Sequence, residues 1–299
     1  MEQGGLEKYR YRFNPVNGYW FTSFLLRELR AKGGNGGGCF ESTLDIGLSK
    51  GTVCLEGNYV KLGELVLDLD AITPSEVDRV VVYDAPQKSA YEVLKHVPDG
   101  FYKLKAIAID KAPTLEVNGI HMHRITGIDP WSDAVSKVWA AVVKRGNTVL
   151  DTCMGLGYTA IASTRRGARE VYTFEVDSNV VWVAERNPWS RGLSSPSVRV
   201  YFGDVTKLIY SLPDAFFHRV IHDPPRFTKS TGDLYSLEFY RQLNRVLKRG
   251  GVLFHYVGEP RKHGAPSILK GVKNRLENAG FKVLRFDREA QGYVAIKVA

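Results

Sequence analysis

The alternation of apolar and polar positions changes character near residue 120. Before it the period is short. Leu44, Ile46 and Leu48 alternate with polar residues, Ser49-Lys50-Gly51 leads into Thr52–Glu56, and Gly57-Asn58 precedes Tyr59–Leu62. Period-2 runs separated by glycine-containing turns predict a meander of short antiparallel strands. Further strands are predicted at Arg79–Tyr83 and Tyr102–Ile109. Upstream, an aromatic and leucine face over Tyr19–Arg30 predicts a helix, and the glycine-rich Gly33–Gly38 stretch is expected to stop it and to be mobile.

From Asn147 onward, short apolar runs alternate with helical stretches. Strands are predicted at Thr148–Asp151, Glu170–Glu175, Val198–Phe202, Arg219–His222, Gly251–Tyr256, Lys282–Asp287 and Gly292–Val298, and a helix over Trp131–Lys144 leads into the first of them. Helical segments separate the first five strands, the pattern of a parallel sheet covered on both faces. The last two follow each other closely and read as an antiparallel hairpin at a sheet edge. The fold class is therefore α/β, a Rossmann-like sheet preceded by a small β-rich domain. The domains are expected at residues 1–120 and 121–299.

With 44% hydrophobic and 24% charged residues among 299, the chain can bury a sizeable core. No apolar run approaches the roughly 18–20 residues that cross a bilayer. Cys39, Cys54 and Cys153 form no CxxC pair and no Cys/His cluster, so neither a disulfide frame nor a metal site is expected, and a reduced, cytoplasmic protein is the default. Charge adds more when divided. Residues 1–120 hold 14 Lys+Arg against 16 Asp+Glu, and residues 121–299 hold 27 against 16, a balance of +11 in the second part. Such a field attracts phosphates at a distance, and an ordinary lysine- and arginine-rich surface gives the same total.

Ligands of such sheets bind beyond the carboxyl ends of the strands, where connectivity reverses. The first strand ends at Asp151 and continues Thr152-Cys153-Met154-Gly155-Leu156-Gly157-Tyr158-Thr159. Glu175, followed by Val176, closes the second, where a carboxylate can accept from both hydroxyls of a ribose. Asp204 and Val205 follow the third, where an acid can accept from an adenine amino group, and Asp223-Pro224-Pro225-Arg226 follows the fourth. One acid at a strand end is usually a turn residue. Four in succession are hard to attribute to turns.

On these residues, from about Asn147 to Ala299, the sequence resembles the class I S-adenosylmethionine-dependent methyltransferases. That family's loop carries an acid and three glycines at alternate positions, whereas here Cys153 stands in place of the first glycine. The resemblance implies that Asp151, Cys153, Met154, Gly155, Gly157, Tyr158 and Thr159 surround the methionine part of the cofactor, Glu175 with Val176 the ribose, and Asp204 with Val205 the adenine. Asp223-Pro224-Pro225 resembles the acid-Pro-Pro-aromatic signature of methyltransferases acting on exocyclic base amines. The residue types suit that chemistry. The lone pair of an aromatic amine is delocalised, so a carboxylate and a carbonyl accepting its two N–H groups draw the nitrogen towards tetrahedral geometry, and proline removes competing donors. Asp223, Pro224 and Pro225 are the candidate catalytic residues.

Arg226 stands where the signature has an aromatic residue, and Phe227 supplies a ring immediately after it. Both are candidate substrate contacts. Trp131 and Tyr235 are further candidate substrate contacts: Trp131 covers the cofactor or flanks the target base, or else packs as a core aromatic, and Tyr235 with Tyr240 beyond the Pro-Pro loop lines the acceptor pocket or packs in the core. His121 and His123 alternate without a third ligand and suit surface or hydrogen-bonded positions better than a metal. Clusters at Arg165/Arg166/Arg169, Arg241/Arg245/Lys248/Arg249 and Arg261/Lys262 are either solvated helix faces or a track for an RNA backbone.

Taken whole, the chain resembles an archaeal group of methyltransferases with a DPPR motif that are similar to spermidine synthases. This implies RNA as partner, ribosomal RNA first, with cytidine N4 as the leading acceptor. Alternatives are aminopropyl or methyl transfer to a small amine, which a +11 domain would disfavour by repelling polycations, and protein lysine methylation. Oligomeric state is left open.

Overall fold

The computed structural model describes residues 4–34, 37–258 and 266–298. Two compact units emerge. One comprises the described residues of Met1–Phe13, Ser132–Ser178 and Gly192–Ala299, the other Asn14–Trp131 and Asn179–Arg191. This division and the one drawn at residue 120 differ over residues 1–13, 121–131 and 179–191.

The first unit is built on an eight-stranded sheet. In chain order its strands are β1 (Arg10–Tyr11), β2 (Thr148–Asp151), β3 (Glu170–Glu175), β4 (Val198–Phe202), β5 (Phe217–His222), β6 (Leu247–Tyr256), β7 (Phe281–Asp287) and β8 (Gly292–Lys297). Their spatial order is β1-β4-β3-β2-β5-β6-β8-β7. The pairings among β2 to β6 are parallel, while β8 pairs antiparallel with both β6 and β7, as expected of a terminal hairpin. The unpredicted β1 adds antiparallel to β4, with Arg10 opposite Tyr201. All four residues of β2 are buried, as a central strand covered on both faces requires. Helix α1 (Pro130–Ala140) has proline at its first position and the Asp129 carboxylate accepting from the Trp131 N–H at 3.1 Å, a side-chain cap. It stops four residues short of the predicted Lys144. Helix α2 (Tyr158–Arg165) follows β2, and α3 (Leu237–Val246), capped by Ser236 bonding the Phe239 N–H at 3.1 Å, buries Phe239, Tyr240, Leu243 and Val246. These pack with Leu150, Phe174, Val220 and Leu253 from the sheet into one core.

The second unit is β-rich. A four-stranded meander runs through Gly38–Ser42, Gly51–Glu56, Tyr59–Leu62 and Leu65–Asp68, beside a three-stranded sheet (Gly18–Thr22, Val80–Asp84, Ser89–Glu92) and a second four-stranded one ending at Ile120–His121. Three expectations are corrected here. Leu44–Leu48 is a turn, because the side chains of Thr43 and Asp45 bond locally: Thr43 accepts from the Gly47 N–H at 2.6 Å, and Asp45 accepts from the Ser49 N–H at 2.8 Å. Such bonds replace ladder bonds. The first part of the helix predicted from Tyr19 is a strand, since Gly18–Thr22 pairs with the fully buried Val80–Asp84, and the helix spans Ser23–Gly33 with the Thr22 hydroxyl as its cap. The third concerns sulfur. Cys39 and Cys54 are joined by a disulfide, since strand pairing sets them directly opposite each other. The predicted strand at Tyr102–Ile109 lies at Gly100–Lys105. Of the glycine-rich stretch, residues 35–36 fall outside the described residues, as do Arg261 and Lys262.

Candidate active site

The sheet order reverses beside β2. From it the chain passes outward through β3 and β4, then returns to β5 on its other flank, so the carboxyl ends of β2 and β5 border the switch point. Asp151 and Asp223 leave those two ends.

Asp151 is fully buried. Its two oxygens accept from the hydroxyls of Thr159 at 2.9 Å and Thr173 at 2.6 Å, so the carboxylate ties the start of α2 and strand β3 to the tip of β2. Burial pushes its pKa up to about 7, against the pull of those two hydroxyl bonds. The Met154 N–H bonds the Phe174 carbonyl at 2.7 Å, the Gly157 N–H bonds the Met154 carbonyl at 2.7 Å, and the Gly155 N–H reaches Glu175 Oε2 at 3.1 Å. Gly155 (φ +53) and Gly157 (φ +77) occupy the left-handed region that side chains disfavour, and Cys153 does not. The cysteine that departs from the three-glycine pattern therefore stands where no glycine is demanded. Its thiol is pushed well above its usual range by burial. Tyr158 and Thr159 turn into the core, whereas a Cβ built on Gly155 meets nothing within 4 Å.

Glu175 is held by three backbone donors. Oε1 accepts from Val176 at 2.9 Å and Asp177 at 3.0 Å, and Oε2 from Gly155. Burial raises its pKa to about 7 despite these bonds. Val176 beside it is exposed and Val205 is buried. Asp204 caps the short helix Val205–Leu208 by accepting from the Thr206 N–H at 2.9 Å.

The β5 corner is the most elaborated. Asp223 Oδ2 accepts from the ammonium of Lys137 at 2.6 Å, and Lys137, itself 2% exposed, lies 2.9 Å from Asp133 and 4.2 Å from the centre of the Tyr256 ring. Burial alone would lower the pKa of Lys137, but the Asp223 and Asp133 carboxylates outweigh it and hold the ammonium well above its ordinary range. The Tyr235 hydroxyl donates to the Pro225 carbonyl at 2.7 Å, and Phe227, half exposed, meets the Tyr235 ring edge-on. Arg226 is exposed and its carbonyl accepts from Thr231. Beneath the corner two buried histidines are fixed as neutral tautomers. His222 Nε2 faces the Leu234 carbonyl and so carries the proton, while Nδ1 accepts from Thr152; His255 Nδ1 faces the Tyr256 carbonyl, and Nε2 accepts from Tyr240. Burial takes His222 down to about 3, so it stays uncharged at neutral pH.

Trp131 belongs to the second unit, where its ring lies 5.7 Å from that of Trp189. His121 bonds Glu116 at 2.9 Å and His123 bonds Thr114 at 3.1 Å. Among the described residues no three potential ligands converge as a metal site, and no helix is long and apolar enough to cross a membrane. Lys137, His222 and His255 escaped the sequence reading. For Lys137 a signal existed, because it shares a helix face with Ala134, Val138 and Ala141, an apolar stripe in which a lysine demands a partner.

Comparison with known proteins fits this geometry. The profile of the family described as "Methyltransferase small domain" matches residues 126–285. The chain belongs to this family. It is a class I S-adenosylmethionine-dependent methyltransferase with an additional β-rich N-terminal region. Among its relatives is the uncharacterized protein MJ1233 of Methanocaldococcus jannaschii, 48% identical over 200 residues that make up 67% of this chain and 68% of that one. Ribosomal protein L11 methyltransferase of Streptococcus equi subsp. zooepidemicus is 28% identical over 65% of this chain and 58% of its own length. Ribosomal RNA large subunit methyltransferase I of Aeromonas hydrophila is 28% identical over 39% of this chain, a match spanning 31% of that enzyme. Among solved structures, a spermidine synthase bound to a transition-state analogue superposes with a TM-score of 0.52 at 16% identity, covering 68% of this chain and 72% of that one, a likeness of fold.

Proposed function

We propose that this methyltransferase modifies RNA at an exocyclic base amine, cytidine N4 of ribosomal RNA being the acceptor that fits best. The observation carrying the reading is the Asp223-Pro224-Pro225 corner at the carboxyl end of β5, next to the glycine loop after β2. When bound, S-adenosylmethionine supplies an electrophilic methyl group on a sulfonium. The residues around the two strand ends suit that molecule: the backbone at Gly155 is open on one side, and the Glu175 carboxylate is oriented by three N–H groups. In this reading Asp151 shapes the loop from below, Cys153, Met154, Gly157, Tyr158 and Thr159 complete it, Glu175 and Val176 serve the ribose, and Asp204 with Val205 borders the adenine.

The acceptor side follows from hydrogen-bond chemistry. A carboxylate offers about four acceptor directions, so Asp223 can bond Lys137 and an amine N–H together. The Pro224 carbonyl takes the second N–H, and the prolines offer no N–H to compete. Attack on the sulfonium methyl would form the C–N bond while the S–CH3 bond breaks and leaves a neutral thioether, and the surplus proton on nitrogen would pass to the Asp223 carboxylate and on to water. Most of the acceleration then comes from positioning. Arg226 and Phe227 flank the base, Tyr235 braces the loop through Pro225, and the basic catalytic part holds the phosphates. The N-terminal region, residues 1–120, contributes substrate recognition, Trp131 beyond it is a further substrate contact, and the enzyme acts in the cytoplasm.

A second reading, methylation of a ribosomal protein amine, is supported by the relatives named L11 methyltransferases. Incubation with radiolabelled cofactor and separated RNA, protein and polyamine fractions decides between them, with Asp223→Ala as the matched variant. The expected outcome is label in ribosomal RNA, recovered as N4-methylcytidine, and at least about 100-fold less of it with Asp223→Ala while cofactor binding by calorimetry persists. Label in protein alone, or full turnover by Asp223→Ala, overturns the assignment.

A further inference from the structure

Lys137 carries an inference that rests on the base-amine reading and deepens it. A fully buried lysine is rare without a dedicated partner, because desolvating an ammonium is expensive. This one has two carboxylates, Asp133 one helical turn earlier on α1 and Asp223 86 residues later in the Pro-Pro corner. Asp133 is 0% exposed and Asp223 18%, so the chain of charges runs from the interior of α1 to the one member that reaches the surface of the site. The Tyr256 ring, at the end of β6, closes the ammonium from another side at 4.2 Å. The cluster thus links α1, β5 and β6, and its outermost oxygen atoms belong to the residue assigned to the amine.

We propose that Lys137 is the positioning residue of the acceptor corner: through its 2.6 Å bond to Oδ2 it fixes the rotation of the Asp223 carboxylate and keeps that carboxylate ionised for the incoming N–H. Asp133 in turn anchors Lys137. An exposed aspartate beside a flexible loop would sample several rotamers and would be protonated more readily once a base covered it. A buried ammonium removes both losses before the acceptor arrives. Among the described residues, the charged or titratable groups facing this pair include Asp133 on α1, Asp151 and Cys153 at the end of β2, Tyr256 at the end of β6 and Tyr235 beyond the Pro-Pro loop. Removing Lys137 takes the positive charge from between the Asp133 and Asp223 carboxylates.

The test uses the full chain as Lys137→Met, Lys137→Arg, Asp133→Asn and, as a packing control on the same helix, Val138→Ala. Each is assayed for melting, for S-adenosylmethionine binding by calorimetry, and for kcat and KM in methyl transfer to unmodified ribosomal RNA transcribed in vitro, across about pH 3.5 to about pH 9. Lys137→Met is expected to lower kcat about 100-fold or more with cofactor affinity within about threefold, and to move the acid limb of the kcat profile upward by about one pH unit. Lys137→Arg restores at least about tenfold of that loss, since the charge returns with a different fork. Asp133→Asn removes a neighbouring anion and is expected to move the same limb downward, an opposite sign that loss of folding cannot mimic. Val138→Ala lowers the melting temperature and leaves the limb in place. An unshifted limb in both Lys137→Met and Asp133→Asn, or an equal shift in Val138→Ala, overturns the inference while the base-amine reading stands. Absence of RNA labelling by the wild-type enzyme overturns that reading and the inference together.

Discussion

At the scale of single residues, the acids of the site differ in how far they are withdrawn from water. Asp151 is the extreme case, with its carboxyl raised to about 7 by burial. An unfolded aspartate titrates near about 4. Between these values the folded chain keeps a proton that the unfolded chain has released, so the contribution to stability is full below about pH 4 and is lost as pH rises through about 7. The melting temperature of the cofactor-free enzyme is therefore expected to fall between about pH 4.5 and about pH 7.5, and Asp151→Asn, neutral throughout, to flatten that fall. A slope identical in both proteins would show that Asp151 is not its source. Glu175 is displaced in the same direction, so a smaller slope remains in the variant. The acids themselves were readable, because each ends an apolar run. What Asp151 does was not, since Thr173 lies 22 residues away.

At the scale of elements, the loop after β2 contains two glycines with different duties. A Cβ on Gly157 would sit 2.5 Å from Leu193 Cδ1 at φ +77, so Gly157→Ala combines overlap with an unfavourable backbone and is expected to cost about 1–3 kcal/mol of stability. Gly155→Ala meets no neighbour and bears only the φ penalty, about 1 kcal/mol. Its added methyl enters the open side of the loop, so cofactor affinity should drop more than stability does. Paired thermal melts and calorimetry check the contrast; a reversed order would displace the cofactor from this loop. The carboxyl ends of the parallel strands were legible because burial on both faces writes apolar runs into the sequence, although β5 starts at Phe217 and β6 at Leu247, earlier than the predicted Arg219 and Gly251. In the β-rich unit the strands were less so: the alternation at Leu44–Leu48 looks like a strand, and only the Thr43–Asp45–Ser49 bonds turn it into a loop.

At the scale of the whole molecule, the positive charge is not one uniform surface. Arg245 donates to the carbonyls of Ile209 and Leu212 and pairs with Asp214, and Arg166 stacks on Trp139 while bonding the Val143 carbonyl, so both are committed to the fold. Arg241 and Arg249 are exposed. RNA affinity should fall steeply with salt, and Arg241→Ala with Arg249→Ala should weaken binding and reduce the slope of log K against log salt by up to about 1.4, near 0.7 for each phosphate left unneutralised. Arg245→Ala should lower the melting temperature and leave that slope alone. Filter binding over a salt series distinguishes the two classes of arginine, and an unchanged slope in the double variant would leave the basic balance without a role in RNA binding.

The succession of strands along the chain, the acids at their tips and the proline corner were determined by the sequence itself, because burial, glycine turns and proline act within a few residues of where they are written. The tertiary structure alone decided which distant groups meet. Lys137 reaches Asp223, Cys39 faces Cys54, and the N-terminal Arg10–Tyr11 joins the edge of the large sheet. Those meetings depend on helix placement and strand register, which arise from the packing of the whole core and leave only a faint local mark: a lysine in an apolar stripe, two cysteines without a motif, a short polar strand near the start.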